Sequence, residues 1–87
     1  MEQKFLIKTT ALKLMEELYL KSDSSLRATI NAYSIFDDNY DKNLIIKASK
    51  YLIDKKYVDS GSLASEKWTT SITANGIDWV EECHKTL

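Results

Sequence analysis

The sequence predicts an α+β fold: three helices, then a β-hairpin, then one more helix. Three observations lead there. Apolar residues recur at helical spacing in three segments before about residue 56. The period then breaks from Tyr57 into β-branched, aromatic and small polar residues, with Lys-Trp-Thr-Thr-Ser-Ile at 67–72. After Thr73 the helical spacing returns, and Gly76, Val80, Cys83 and Leu87 share one face.

The first helix covers 9–21, where Ala11, Leu14, Met15 and Leu18 form the inward stripe and Lys13, Glu16, Glu17 and Lys21 lie off it. Ile7 fits the same stripe and allows an earlier start, while Thr9 or Thr10 is a candidate N-cap. Residues 21–25 are turn-like, and Ser24 or Ser25 can cap a short second helix over 25–33 with Leu26, Ile30 and Tyr33 inward. Asp37, Asp38, Asn39 and Asp41 break the chain before a third helix at 41–56, whose inward residues are Leu44, Ile45, Ala48 and Leu52. Strands at 57–63 and 67–72 flank Ala64, Ser65 and Glu66, and Thr73 caps a last helix at 74–85. The expected core is Leu14, Leu18, Leu26, Ile30, Leu44, Ala48, Leu52, Ile72 and Val80. Gly76, in the first turn of the last helix, is expected where two backbones approach closely.

With 87 residues, the chain is read as one domain spanning 1–87. It is 44% hydrophobic and 29% charged, a balance suited to a folded core and not to disorder. Apolar runs do not exceed three residues, as at Phe5–Ile7 and Leu44–Ile46, so no membrane span is expected. A lone cysteine, Cys83, and the lack of an Asn-x-Ser/Thr site make the cytoplasm the expected compartment. A single His, a single Cys and two glycines supply no metal cluster, phosphate loop or catalytic triad, so a binding protein without a cofactor is expected and an enzyme is not.

Net charge is −1, but it is unevenly distributed. Residues 1–41 carry −2, residues 42–56 carry +4 and residues 57–87 carry −3. One electropositive surface, centred on the third helix, follows from that asymmetry.

The element order is that of a winged helix-turn-helix, with the hairpin as wing. Specific residues also carry a resemblance. The run Lys50-Tyr51-Leu52-Ile53-Asp54-Lys55-Lys56-Tyr57-Val58 resembles the end of the recognition helix and start of the wing in small bacterial and phage winged-helix proteins. Ile72-Thr73-Ala74-Asn75-Gly76-Ile77-Asp78-Trp79-Val80 resembles the Leu-Thr-x-x-Gly segment that opens the final helix of PadR-like, MarR-like and YjcQ-like domains. The resemblance covers roughly residues 8–87 and departs from the pattern at Lys56, where that turn usually has glycine, and in the long acidic link before the third helix. It implies a small bacterial or phage transcriptional regulator whose third helix enters a DNA major groove while the wing touches the adjacent backbone or minor groove. Two half-sites per operator would make it a homodimer, with the two terminal helices as candidate contact surfaces.

The residues themselves supply readout chemistry. Asn43, Lys47, Lys50 and Asp54 are spaced four, three and four apart, on the face opposite Leu44, Ala48 and Leu52. Asparagine pairs with adenine edges, and lysine with guanine edges or phosphate. Lys42 adds charge at the start of the helix, and Lys67 in the hairpin completes the candidate DNA-binding set of Lys42, Asn43, Lys47, Lys50 and Lys67. Such a face also serves as ordinary solvated surface, and Asp37, Asp38 and Asp41 nearby oppose a polyanion unless they act as caps. Asp37, Asn39 and Asp41 match the start of a calcium loop, but Lys42 replaces its glycine and Ala48 its bidentate Glu, so no calcium site is expected. His84 and Cys83 are read as structural, and Trp68 and Trp79 as packing residues. The alternative function is a protein-interaction module on the same fold: an adaptor, an antirepressor or a subunit of replication or transcription machinery. It predicts an exposed apolar patch, around Ile46, Ile53 or Trp79.

Overall fold

Helix α1 (Ile7–Lys21) is the first element in a computed structural model that describes residues 6–59, 63 and 66–85. It buries Thr10, Ala11, Leu14, Met15 and Leu18 along one stripe. The helix starts at Ile7 with Leu6 at the N-cap, so neither Thr9 nor Thr10 caps it. Thr10 is instead buried, and its hydroxyl pairs with the Tyr40 hydroxyl at 2.5 Å.

The expected second helix at 25–33 is replaced by strand β1 (Arg27–Asn31) and a 3-10 turn (Ala32–Ile35). Ser24 and Ser25 cap nothing there. The Ser25 amide and hydroxyl both donate to Asp23 Oδ1, at 2.9 and 2.7 Å, in a turn that delivers the chain into β1. Leu26 closes this turn in the left-handed region (φ 65°) and is 39% exposed, so it does not belong to the core. Alternation explains the strand: Arg27, Thr29 and Asn31 face out while Ala28 and Ile30 face in. The three apolar residues Leu26, Ile30 and Tyr33 imitate a helical stripe, but alanine at 28 and 32 carries the true two-residue period.

Helix α2 (Lys42–Asp54) follows, two residues shorter at its C-terminus than the sequence suggests. Asp41 is its N-cap, with Oδ1 accepting from the Asn43 amide at 2.9 Å. Leu44, Ile45, Ala48 and Leu52 are buried as expected, and Ser49 joins them by donating its hydroxyl to the Ile46 carbonyl. The helix ends in a Schellman arrangement: Tyr57 N–H donates to Leu52 C=O and Lys56 N–H to Ile53 C=O, each at 3.0 Å. Lys56 takes the left-handed position (φ 61°) where that motif favours glycine.

Strand β2 (Lys67–Ser71) pairs antiparallel with β1, Thr29 opposite Thr69, and not primarily with residues 57–63. The expected hairpin is reduced to Tyr57–Asp59 lying beside Ser71–Thr73. It is held by the Val58–Ile72 bridge, Asp59 N–H to Ser71 C=O at 2.9 Å and Thr73 N–H to Tyr57 C=O at 3.1 Å. Of the remainder of that strand and its loop, Leu63 is buried outside any strand, and residues 60–62, Ala64 and Ser65 lie outside the described residues. Trp68, 1% exposed, stands opposite Ile30 on the inner face and is among the largest fully buried side chains.

Helix α3 (Ala74–Lys85) spans 74–85 as expected, and the Thr73 hydroxyl caps it by accepting from the Gly76 amide at 3.2 Å. A Cβ on Gly76 would run into the Tyr57 carbonyl oxygen and lie 2.8 Å from Met15 Cε, so the absence of a side chain is what lets α3 seat. The described residues thus form an α+β fold of three α-helices and a two-stranded antiparallel sheet, with α1 packed between α2, β1 and α3. Among the described residues no helix is long and apolar enough to cross a membrane.

Candidate nucleic-acid interface

Burial of Leu44, Ala48 and Leu52 turns the opposite face of α2 to solvent, and Asn43, Lys47, Lys50 and Asp54 all emerge there, exposed. The helix therefore presents, along its whole length, a stripe of amide, two ammonium groups and one carboxylate. Ile46 and Ile53 border it, half-buried.

Lys42 and Lys67 stand apart from this stripe. Lys42 is rotated away from Asn43 by one helical residue, and its ammonium lies 5.4 Å from the centroid of the Tyr33 ring. Lys67 is exposed on β2 opposite Asn31, on the outer face of the sheet. That outer face also carries Arg27, Thr29, Thr69 and Ser71, with the two threonine hydroxyls 3.2 Å apart. Arg27 and Asn31 are polar surface residues that the helical reading of 25–33 hid; the alternation Arg-Ala-Thr-Ile-Asn is the signal that locates them.

The aspartates divide by role. Asp41 is a cap, whereas Asp37 and Asp38 are exposed and line a shallow concavity with Tyr33, Tyr40, Lys42 and Glu66 at the N-terminal end of α2. Phe36 and Tyr40 stack there with centroids 4.2 Å apart, tying the link to the Thr10 hydroxyl below. Negative charge therefore surrounds the start of α2, and the lysines Lys47 and Lys50 sit one to two turns further along it.

At the other end of α2, Tyr57 stacks on Trp79 at 4.6 Å with Tyr51 packed against both. Burial, followed by the neighbouring Tyr51, pushes the Tyr57 phenol above its ordinary value. Trp79 is thus a packing residue between α2 and α3, and His84 reaches α1, with Nε2 2.7 Å from Glu16 Oε2. Comparison with family models, with curated proteins and with solved structures finds no match for this chain.

Proposed function

We propose that this chain is a winged helix-turn-helix DNA-binding protein, a small transcriptional regulator of bacterial or phage type, acting as a binder without a cofactor. An α+β architecture with a helix before and after strand β2 supports the reading, with β1 and a short 3-10 turn standing where the sequence placed the second helix. The observation that carries it is the exposed stripe Asn43, Lys47 and Lys50 on a helix whose other face is buried. In this reading α2 lies in the major groove, Lys47 and Lys50 contact phosphates or guanine edges, and Asn43 reads a base. Lys42 adds charge at the start of α2, and Lys67 adds charge on the outer face of the sheet. The aspartates before α2 keep affinity for random DNA low and leave specificity to base contacts.

The test separates readout from attraction. Asn43→Ala should weaken binding to a selected duplex by about 1–3 kcal/mol and leave binding to random duplex unchanged. Equal weakening on both sequences would remove Asn43 from the base-reading role. A homodimer on two half-sites is part of this proposal, and sedimentation of the protein with and without duplex measures it.

A further inference from the structure

Leu20 is 75% exposed, more than any other large hydrophobic side chain among the described residues. It sits on the outer side of α1, off the stripe that packs the core, and lines a groove of about 280 Å³ between α1 and α3. Val80 and Tyr19 supply further apolar lining, and Glu16 and Glu81 stand on the two helices that form the walls. Two polar contacts tie those walls together: Tyr19 donates its hydroxyl to Glu81 Oε2 at 2.5 Å, and His84 Nε2 lies 2.7 Å from Glu16 Oε2. The groove is therefore preformed, and a ligand entering it has little ordering cost to meet.

Charge decides what fits. Each wall carries a glutamate, and each tie engages only one oxygen of its carboxylate. The adjoining outer face of α3 adds Asp78 and Glu82, the latter 3.4 Å from Lys85 Nζ. A nucleic acid would be repelled, and a second copy seated groove to groove would set the same glutamates against each other. We propose that this groove docks a basic segment of a partner protein, in which one large apolar side chain sits on Leu20 and Val80 while flanking lysines or arginines meet Glu16 and Glu81. This site uses elements other than α2, and it leaves the dimer contact expected of the two terminal helices to their surfaces outside this groove.

The experiment titrates the full chain with a synthetic amphipathic helix made only of leucine and lysine, with a leucine–glutamate peptide of the same pattern as control, and maps amide shifts by NMR. The leucine–lysine peptide should shift residues of α1 and α3, the control should not bind, and Leu20→Ser should weaken binding roughly tenfold, as removing one leucine side chain from an apolar interface does. Glu16→Gln with Glu81→Gln should weaken it and flatten its salt dependence, while Lys47→Ala should leave it unchanged. The proposal is overturned by shifts confined to other elements, by equal binding of the control, or by affinity indifferent to Leu20→Ser. It is also overturned if Leu20 proves to mediate self-association in sedimentation equilibrium, which would assign the groove to a second copy.

Discussion

Among the described residues, Lys56 and Leu26 are the non-glycine residues held at positive φ, 61° and 65°. A side chain there costs about 1–2 kcal/mol because Cβ crowds the following carbonyl. At Lys56 the Schellman hydrogen bonds hold the conformation in place. Lys56→Gly should therefore raise stability by about 0.5–1 kcal/mol, read as a higher urea midpoint at unchanged slope. Gly76 is the reverse case. Gly76→Ala places a methyl against the Tyr57 carbonyl and should cost about 1–3 kcal/mol, visible as a lower midpoint, because backbone on both sides has to shift. Both positions were legible in sequence, Lys56 as a departure from glycine and Gly76 as a glycine in the first turn of a helix. Leu26 was not, since a leucine at helical spacing reads as core until the turn built by Asp23 and Ser25 is known.

At the scale of elements, α1, α2 and α3 were readable because each carries a continuous apolar stripe, and two of them begin at a residue that caps them, Asp41 and Thr73. β1 was hidden because its inward residues include alanines, which mark a period weakly, and because its partner β2 lies some 40 residues away in the chain. The inward face of α2 rests on Leu52, which is fully buried. Leu52→Ala should cost about 2–5 kcal/mol, enough to lower the melting temperature by many degrees in a domain of this size. The contact between α1 and α3 makes a pH-dependent prediction. The Tyr19 phenol is held above its ordinary value because it donates to the Glu81 carboxylate, which also repels a phenolate. A raised value in the folded state means the contribution is present below about pH 10 and disappears as pH rises through the raised value. Wild-type melting temperature should thus fall more steeply than that of Tyr19→Phe between about pH 9 and pH 11. Parallel curves would mean that the bond contributes nothing to holding the helices together.

Among the described residues, Lys47 and Lys50 share the free face of α2, while Asp78, Glu81 and Glu82 gather on α3 and Asp37, Asp38 and Glu66 at the start of α2. The basic block at 42–56 was visible in sequence as a local excess of +4, and α2 turns Lys47 and Lys50 of that block to one side. The acidic groove at Leu20 was not visible, because it joins two helices roughly 60 residues apart whose relative placement only the tertiary packing sets. Among the described residues, Leu20 and Leu26 are the exposed large hydrophobics, whereas Ile46, Ile53 and Trp79 are half-buried. Contact of α2 with the phosphates of a duplex, as proposed above, is read from the salt dependence of binding. Wild-type protein should bind duplex DNA in low salt, with log affinity falling linearly against log salt, and Lys47→Ala with Lys50→Ala should flatten that slope by about 0.9 for each phosphate left without its lysine. A wild-type protein that binds no duplex in low salt, or a double variant with the wild-type slope, would contradict the account.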